Sequence, residues 1–222
     1  MDYSPLWISF CVSLISTGFT TVIAVPFAKV ITKLKKGRRF LDVIFSLPLV
    51  LPPTVVGFFL LVLFGRNSLF GRFLDALKVN VVFTMKGAVI AALVVSFPII
   101  YRTARAAFEH VDSELIDMAK ILGYDGMKLF LHVYVPLTFH ELSVSVILAF
   151  ARAIGEFGAT IMIAGNIPGR TRTMSISIYT AMQSGDRHMA YVWSAIIIGL
   201  SFIVLFAMDY IAQRQYRSTS HD

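Results

Sequence analysis

The sequence predicts an all-α integral membrane protein with five transmembrane helices, the N-terminus outside the cytoplasm and the C-terminus inside. The first observation behind this fold class is composition, because 57% of the 222 residues are hydrophobic and only 15% are charged. So few polar side chains cannot cover the surface of a water-soluble domain. The second observation is a set of five long apolar stretches, and the third is the clustering of Lys and Arg beside their ends.

The five apolar stretches lie at about residues 5–31, 43–64, 84–104, 138–164 and 189–211. Each is near or above the ~20 residues that a helix needs to cross ~30 Å of hydrocarbon. The first stretch is expected to remain in the protein as a helix, since Asp2 stands where a cleaved leader would be basic and the apolar run is long for a leader. No Gly-, Ser- or Pro-rich linker divides the chain, so residues 1–222 are expected to form one membrane domain.

The distribution of basic residues predicts the orientation. Twelve Lys and Arg residues would lie on one side of the membrane and seven on the other, and the richer side is expected to be cytoplasmic. Residues 105–137 are therefore predicted to lie in the cytoplasm. The net charge of +7 reflects this topology and not nucleic-acid binding, because the charges gather at span ends. The cytoplasmic set is Lys29, Lys33, Lys35, Lys36, Arg38, Arg39, Arg102, Arg105, Lys120, Lys128, Arg214 and Arg217; the outer set is Arg66, Arg72, Lys78, Lys86, Arg170, Arg172 and Arg187.

The second span contains three prolines, Pro48, Pro52 and Pro53. Proline removes a backbone donor and clashes with a preceding carbonyl, so the helix is expected to break or kink here. In a membrane, such backbone is tolerated where protein or a watery cavity satisfies the freed carbonyls. Pro52, Pro53 and Thr54 are therefore candidate pore or gating residues, although a simple packing kink explains the prolines equally well.

The fourth span carries Arg152 and Glu156, a charged pair at membrane depth. A spacing of four places both on one face of a helix, where they neutralise each other, and they should point inward. The pair either pins helix packing or takes part in gating or anion passage. Gly155 and Gly158 would let another helix or a second copy of the chain approach closely. Together with Thr160, these residues complete the pore or gating candidates.

A motif between the third and fourth spans links the chain to a known family. Asp117-Met118-Ala119-x-x-x-Gly123, followed by Val133-x-Val135-Pro136, resembles the cytoplasmic EAA loop of ABC-importer permeases, EAA-x3-G-x9-I-x-L-P. Four positions differ by mild substitutions: Asp117 for Glu, Met118 for Ala, Val133 for Ile and Val135 for Leu. In this interpretation Ala119 gives a small face, Gly123 turns the backbone with positive φ and Pro136 opens the next helix. The same spacing also fits a connector that touches no partner.

A second motif narrows the resemblance. The run Gly155-Glu156-Phe157-Gly158-Ala159-Thr160, with Ala164-Gly165-Asn166-Ile167-Pro168-Gly169-Arg170-Thr171-x-Thr173 after it, is similar to the oxyanion branch of the type I ABC importer permeases, and most of all to the molybdate permeases. The resemblance as a whole runs from about residue 47 to residue 186. Sulfate and tungstate are the alternative substrates within that branch.

This resemblance implies a pore formed by two copies of the chain, two ATP-binding subunits in the cytoplasm and an extracytoplasmic oxyanion-binding protein. The assembly would lie in a bacterial or archaeal inner membrane. The residues implied in ATPase coupling are Glu114, Asp117, Met118, Ala119, Gly123 and Pro136. Residues 165–188 would form a polar loop facing the binding protein, through Asn166, Arg170, Thr171, Arg172 and Thr173.

We do not expect the chain itself to be an enzyme. It has no G-x-x-x-x-G-K-[ST] phosphate loop, so ATP and Mg would be used by a partner subunit. No catalytic constellation, cofactor or metal-ligand spacing is expected either. Two other classes of function remain open. One is a secondary transporter that uses the Arg152–Glu156 pair, and the other is a scaffold or signalling subunit.

Overall fold

The computed structural model describes residues 2–34 and 36–219, with side chains as far as residue 208. Lys35 and the side chains of Arg214 and Arg217, which enter the charge count, lie outside the described part. The described residues form helices α1 (Ser4–Thr32), α2 (Arg38–Val50), α3 (Pro53–Phe64), α4 (Leu69–Ala76), α5 (Met85–His110), α6 (Ser113–Ile121), α7 (Gly126–Leu129), a π-helical turn (Phe130–Tyr134), α8 (Val135–Leu137), α9 (Phe139–Ile154), α10 (Gly158–Ala164), α11 (Met174–Gln183) and α12 (Arg187–Thr219).

Helices α1, α5 and α12 correspond to the predicted first, third and fifth spans. Each is long and apolar enough to cross a membrane without a break. Pro5 lies in the first turn of α1, where a backbone N–H would have no hydrogen-bond partner within the helix, so proline is tolerated there. The all-helical membrane fold predicted from the sequence is confirmed.

The predicted second span is broken, as its prolines indicated. Helices α2 and α3 meet at an angle of 114°. The two residues between them are extended, with ψ of 141° at Leu51 and 134° at Pro52. Each of these residues precedes a proline, which disfavours the helical conformation for the residue before it.

The fourth span is not the continuous helix over 138–164 that hydropathy predicts. Helix α9 ends at Ile154, and α10 begins only at Gly158. Gly155 ends the first helix, and the carboxylate of Glu156 accepts a hydrogen bond from the amide of Ala159 in the first turn of the second. At its other end, α9 meets the helical stretch of residues 126–137 at 77°. Three of the described helices are thus long and apolar enough to cross alone, and five candidate spans result if each bent pair counts as one.

Helices α1 and α5 form the centre of the described core. Small residues face each other along the contact, so the two backbones approach closely. The hydroxyls of Thr20 and Ser96 lie 3.5 Å apart across it. The fully or almost fully buried small residues are Ser13, Ser16, Thr20, Ala24 and Ala28 on α1 and Ala88, Ala91, Ala92, Ser96 and Ala104 on α5.

The relative direction of the helices agrees with the predicted alternation. The last turn of α1 meets the end of α5 and the start of the fourth span, because Lys29 lies against Phe108 and Tyr134. At the opposite end, the hydroxyl of Ser9 near the start of α1 accepts a hydrogen bond from the amide of Met174 at 2.8 Å. The first and third spans therefore run in the same direction. Which end faces the cytoplasm remains a prediction.

The polar loop predicted over residues 165–188 contains a helix, α11. Its N-terminus is held by the bond to Ser9 and by the side chain of Thr173, which accepts a hydrogen bond from Ile176. Met174 and Ile176 are completely buried. The prediction of a loop is wrong over α11, because these apolar residues pack inward between the polar ones.

Candidate functional site

The connecting segment, residues 111–138, joins α5 to α9 and contains the motif shared with the EAA loop. Helix α6 ends at Ile121, and Gly123, two residues beyond it, has a φ of +84° in the left-handed region. The amide of Gly123 donates to the carbonyl of Lys120, and the amide of Tyr124 donates to that of Ala119. This pair of hydrogen bonds is a Schellman motif, which favours glycine at the position of positive φ. The prediction for the Gly123 backbone is confirmed.

One face of α6 is apolar and uncovered. Leu115, Met118, Ile121 and Leu122 are all exposed, and Ile121 retains 86% of its accessible surface. Large apolar side chains gathered on a short polar-flanked helix are typical of a protein contact. The connecting segment thus offers a surface on which a partner can dock.

The charged residues of α6 lie on its solvent side. Asp117 accepts a hydrogen bond from the Lys120 ammonium at 2.8 Å, and Glu114 is exposed beside them. The hydrogen bond to Asp117 raises the pKa of Lys120 above its ordinary value. An exposed ion pair contributes little to stability, so the pair of Asp117 with Lys120 can be exchanged for a contact with a partner. Glu114 is exposed and can also contact a partner.

Ala119 does not present its small side chain to the outside. It is 8% exposed and belongs to a buried cluster with Phe108, Leu129 and Tyr134. The interpretation of Ala119 as a small docking face is wrong in this respect. A small residue is needed here because it lets α6 lie close against the chain's own core, while the larger side chains point away.

Pro136 does not open the following helix. It lies near the end of the helical stretch from Gly126 to Leu137, and α9 begins only at Phe139. The π-helical turn comes just before Pro136, which has no N–H to continue the α-helical ladder. A hydroxyl at the bend, that of Thr138, donates to the carbonyl of Tyr134 at 2.8 Å. Pro136 therefore marks the end of the connecting segment, and its role in coupling stays a prediction.

The two broken spans meet at one place, which we call the break junction. A Cβ built on Gly57 of α3 would lie 2.7 Å from the Cα of Ala159 in α10, so the two backbones touch. Similarly, a Cβ on Gly158 would lie 3.0 Å from the Cβ of Pro53 and 3.1 Å from the amide of Thr54. The break junction consists of Pro52, Pro53, Thr54, Gly57, Arg152, Gly155, Glu156, Gly158, Ala159 and Thr160.

An ion pair supports the break in the fourth span. Arg152 Nη1 lies 2.7 Å from Glu156 Oε2, and Glu156 Oε1 accepts the hydrogen bond from Ala159 at 2.8 Å. The Glu156 side chain is only 2% exposed, whereas that of Arg152 is 35% exposed. The predicted pair is confirmed, and Glu156 points inward as predicted, whereas the Arg152 side chain is only partly buried. The two residues do not share one continuous helical face, however, because Glu156 lies beyond the end of α9.

The remaining junction residues differ in their surroundings. Thr160 is buried, whereas Pro52 and Thr54 are exposed. Gly158 makes the close helix contact that was expected of both glycines. Gly155 is exposed, and a Cβ there would meet only the carbonyl of Ala151 in its own helix, at 3.9 Å. The expectation of a close contact is therefore wrong for Gly155 within one copy of the chain.

The loop before α11 is held together by its own side chains. Arg172 Nε donates to the amide oxygen of Asn166 at 2.7 Å, and Asn166 Nδ2 donates to the Thr180 hydroxyl at 3.0 Å. Arg170 is exposed. Asn166, Arg170 and Arg172 are thus placed where a partner could reach them.

Thr171 and Thr173 are not available to a partner. Thr171 is 0% exposed and its hydroxyl accepts a hydrogen bond from the amide of Ile167, while Thr173 is 4% exposed and caps α11. The prediction that these two hydroxyls face a binding protein is wrong. Both hydroxyls accept hydrogen bonds from nearby backbone amides. The sequence shows only a run of polar residues and not which of their side chains are buried.

Sequence reasoning missed an ionic network that ties α2 to α5. Arg105 forms ion pairs with Asp42 and Glu109, Arg38 pairs with Glu109, and the Tyr101 hydroxyl donates to Asp42. At the level of sequence, these arginines served only to predict the orientation in the membrane. Their spacing of four from Asp42 and Glu109 within each helix was the available sign.

Sequence reasoning also missed Lys29. The lysine was counted with the cytoplasmic charges, yet it falls inside the predicted first span of residues 5–31. It is 9% exposed and its ammonium lies over the ring of Tyr134, 3.0 Å from the centroid. A basic residue inside a predicted span is the signal that could have found it.

Gly123→Val is expected to destabilise the turn that ends α6 and, under the coupling role that the EAA-loop resemblance implies, to lower uptake. Nothing lies within 4 Å of a Cβ at this position, so the effect comes from φ alone and amounts to about 1 kcal/mol or more. Gly123→Asn is the matched control, because asparagine tolerates the left-handed region. Uptake and membrane insertion of both variants would be measured side by side. Full uptake by the valine variant would reject this role for Gly123.

The comparisons with known proteins agree with this architecture. Residues 9–217 match the family described as "Binding-protein-dependent transport system inner membrane component". The chain is 45% identical over 171 residues to the putative molybdenum transport system permease protein YvgM of Bacillus subtilis, covering 77% of this chain and 75% of that protein. It is 38% identical over 215 residues to the molybdenum transport system permease protein ModB of Escherichia coli, covering 96% and 94%.

A solved structure shows the same fold. The chain aligns with the MetNI methionine ABC transporter in an inward-facing form with a TM-score of 0.72 and 16% identity, covering 95% of this chain and 94% of that one. The fold is therefore that of a type I ABC importer permease. With the family match over residues 9–217, the chain belongs to the inner membrane components of binding-protein-dependent transport systems.

Proposed function

We propose that this chain is the pore-forming permease subunit of an ATP-driven importer for molybdate or a closely related oxyanion. The observation that carries the proposal is the uncovered apolar face of α6, on a helix anchored by the Gly123 motif and by buried Ala119. ATP hydrolysis by a separate subunit docked there would move the connecting segment. That movement would drive alternating access in the membrane helices.

The partners follow from this role. Two ATP-binding subunits would dock on the connecting segments of two copies of the chain, and ATP and Mg would be bound by those subunits. Asn166, Arg170 and Arg172 would face an extracytoplasmic oxyanion-binding protein. Their donors and positive charge suit a tetrahedral anion or an acidic surface.

The break junction is the proposed gate. Two helix breaks meet there at backbone contact, beside a charged pair of which only the arginine is partly exposed. Irregular backbone at membrane depth occurs where it lines a cavity or is buried in protein. A gate built from close-packed backbone can open by separating α3 from α10 with little side-chain rearrangement.

Molybdate is the substrate we favour, because YvgM and ModB are described as molybdenum transport permeases. Sulfate and tungstate share its tetrahedral shape and charge. The affinity of the partner binding protein for each of the three anions, measured by titration, distinguishes these substrates. Tightest binding of molybdate supports this substrate, and selective binding of tungstate or sulfate would assign that anion to the chain instead.

The docking face is tested by Met118→Asp. A charge placed on the apolar face of α6 should reduce co-purification with the ATPase subunit by about tenfold or more, as for a central interface residue. Met182→Asp is the control, since Met182 is also an exposed methionine but lies on α11. Equal ATPase recovery with both variants would contradict docking on α6. A chain that takes up anion without any ATPase would favour a secondary transporter.

A second copy of the chain is expected at the exposed side of the break junction. Gly155→Cys in a Cys11→Ala background should form disulfide-linked dimers on mild oxidation if Gly155 lies near a two-fold axis, the usual symmetry of paired subunits. The Cys11→Ala parent is the control. A monomeric mass in detergent that still supports uptake, without crosslinks, would overturn the dimer.

A further inference from the structure

Lys29 is a buried cation that faces aromatic rings. It lies in the last turn of α1, and its ammonium is 3.0 Å from the ring centroid of Tyr134 and 5.8 Å from that of Phe108. It forms no ion pair within the described residues. The charged groups that act on it, Lys33 and Lys120, are themselves cations.

Burying an unpaired ammonium is costly unless its charge is compensated. The negative face of an aromatic ring supplies such compensation, and more strongly when water is excluded. Tyr134 is 8% exposed, so its ring meets Lys29 away from solvent. The contact therefore joins α1 to the connecting segment by an attraction that depends on ring orientation.

Tyr134 is the last residue of the π-helical turn, between α7 and the bend at Thr138. π-Helical turns occur frequently at functional sites. The same buried cluster contains Ala119 of α6 and Ile31 of α1. A displacement of α6 would thus reach α1 through Tyr134 and Lys29.

We infer that Lys29 is a positioning residue, which holds the connecting segment on the membrane helices through its cation–π contact with Tyr134 and passes ATPase-driven motion to α1. This inference rests on the proposed function. It concerns how motion is transmitted and not where the ATPase docks.

The test is uptake per ATP hydrolysed in proteoliposomes that contain the chain, its ATPase and its binding protein. Lys29→Met keeps the length of the side chain and removes the charge, so uptake per ATP should fall about five- to thirtyfold. Lys29→Arg should restore most of the ratio. Lys33→Met, which removes an exposed charge one turn away, is the matched control and should not lower the ratio, because removing a neighbouring cation leaves the Lys29 charge in place.

Graded fluorination of the ring separates the electrostatic contact from packing. In a Tyr134→Phe background, one to three ring fluorines weaken the negative face while changing the ring volume little. Uptake per ATP should fall stepwise with each fluorine, even if Lys29→Met fails to accumulate in the membrane. A flat fluorine series, or a Lys29→Met chain with an unchanged ratio, would overturn the inference. Failure of the proposed function looks different, since the unmodified chain would then show no ATP-dependent uptake at all.

Discussion

Glu156→Gln is expected to destabilise the break junction by about 3 kcal/mol and to abolish most uptake. Removing one member of a buried ion pair commonly costs about 3–5 kcal/mol, and the partial exposure of Arg152 places this pair at the lower end. Glutamine can still accept the hydrogen bond from Ala159, so the substitution isolates the loss of charge. Thermal unfolding in detergent and anion uptake would both be measured.

Two further variants sharpen this prediction. Glu156→Leu should be worse than Glu156→Gln, because it also leaves the amide of Ala159 without its acceptor. The exchange Arg152→Glu with Glu156→Arg should not restore function, since arginine accepts no hydrogen bond. Asp75→Asn, which breaks the exposed Arg66–Asp75 pair, is the control and should change stability by less than about 0.5 kcal/mol. Full recovery by the exchanged pair would show that the two residues only neutralise each other.

Gly57→Ala is expected to separate α3 from α10. The added Cβ would lie 2.7 Å from Ala159 Cα, 2.8 Å from Ala159 O and 2.8 Å from Met162 Cβ. Because two of these are backbone atoms, no change of rotamer relieves the clash, and we expect a loss of about 3 kcal/mol, at the upper end for overpacking. Uptake should fall with stability, because the proposed gate could no longer close at this contact.

The controls for Gly57 are available within the chain. Gly18→Ala adds a Cβ that meets nothing within 4 Å and should be neutral or slightly stabilising. Adding Ala159→Gly to Gly57→Ala should not rescue the variant, because the clash involves the backbone and not the alanine methyl. Normal stability of Gly57→Ala, or rescue by Ala159→Gly, would show that the two helices lie farther apart than the structure has them.

The sequence predicted the parts of this molecule that depend on local chemistry. Long apolar runs predicted α1, α5 and α12, and the prolines predicted the break between α2 and α3. The Gly123 turn was predictable because glycine adopts positive φ without the strain that a Cβ brings to most other residues. The Arg152–Glu156 pair was predictable because charges at membrane depth need partners.

What the sequence could not predict depends on distant neighbours. Gly155 and Gly158 fit helix packing as well as a helix end, and only the contact of α10 with α3 decides between them. Ala119 faces inward because of Phe108 and Tyr134, whose positions follow from tertiary packing. The contact of Lys29 with Tyr134 joins residues far apart in the chain, and no spacing rule links them.

The proposed function requires this chain to couple oxyanion import to a separate ATPase. The most direct measurement is uptake of radiolabelled molybdate into liposomes that contain the chain with its ATPase and binding protein. We expect accumulation that requires ATP on the side of the membrane where the ATPase is bound, stops when the ATPase is omitted and is lost with Gly57→Ala but retained with Gly18→Ala. Equal uptake without the ATPase or without ATP would contradict it.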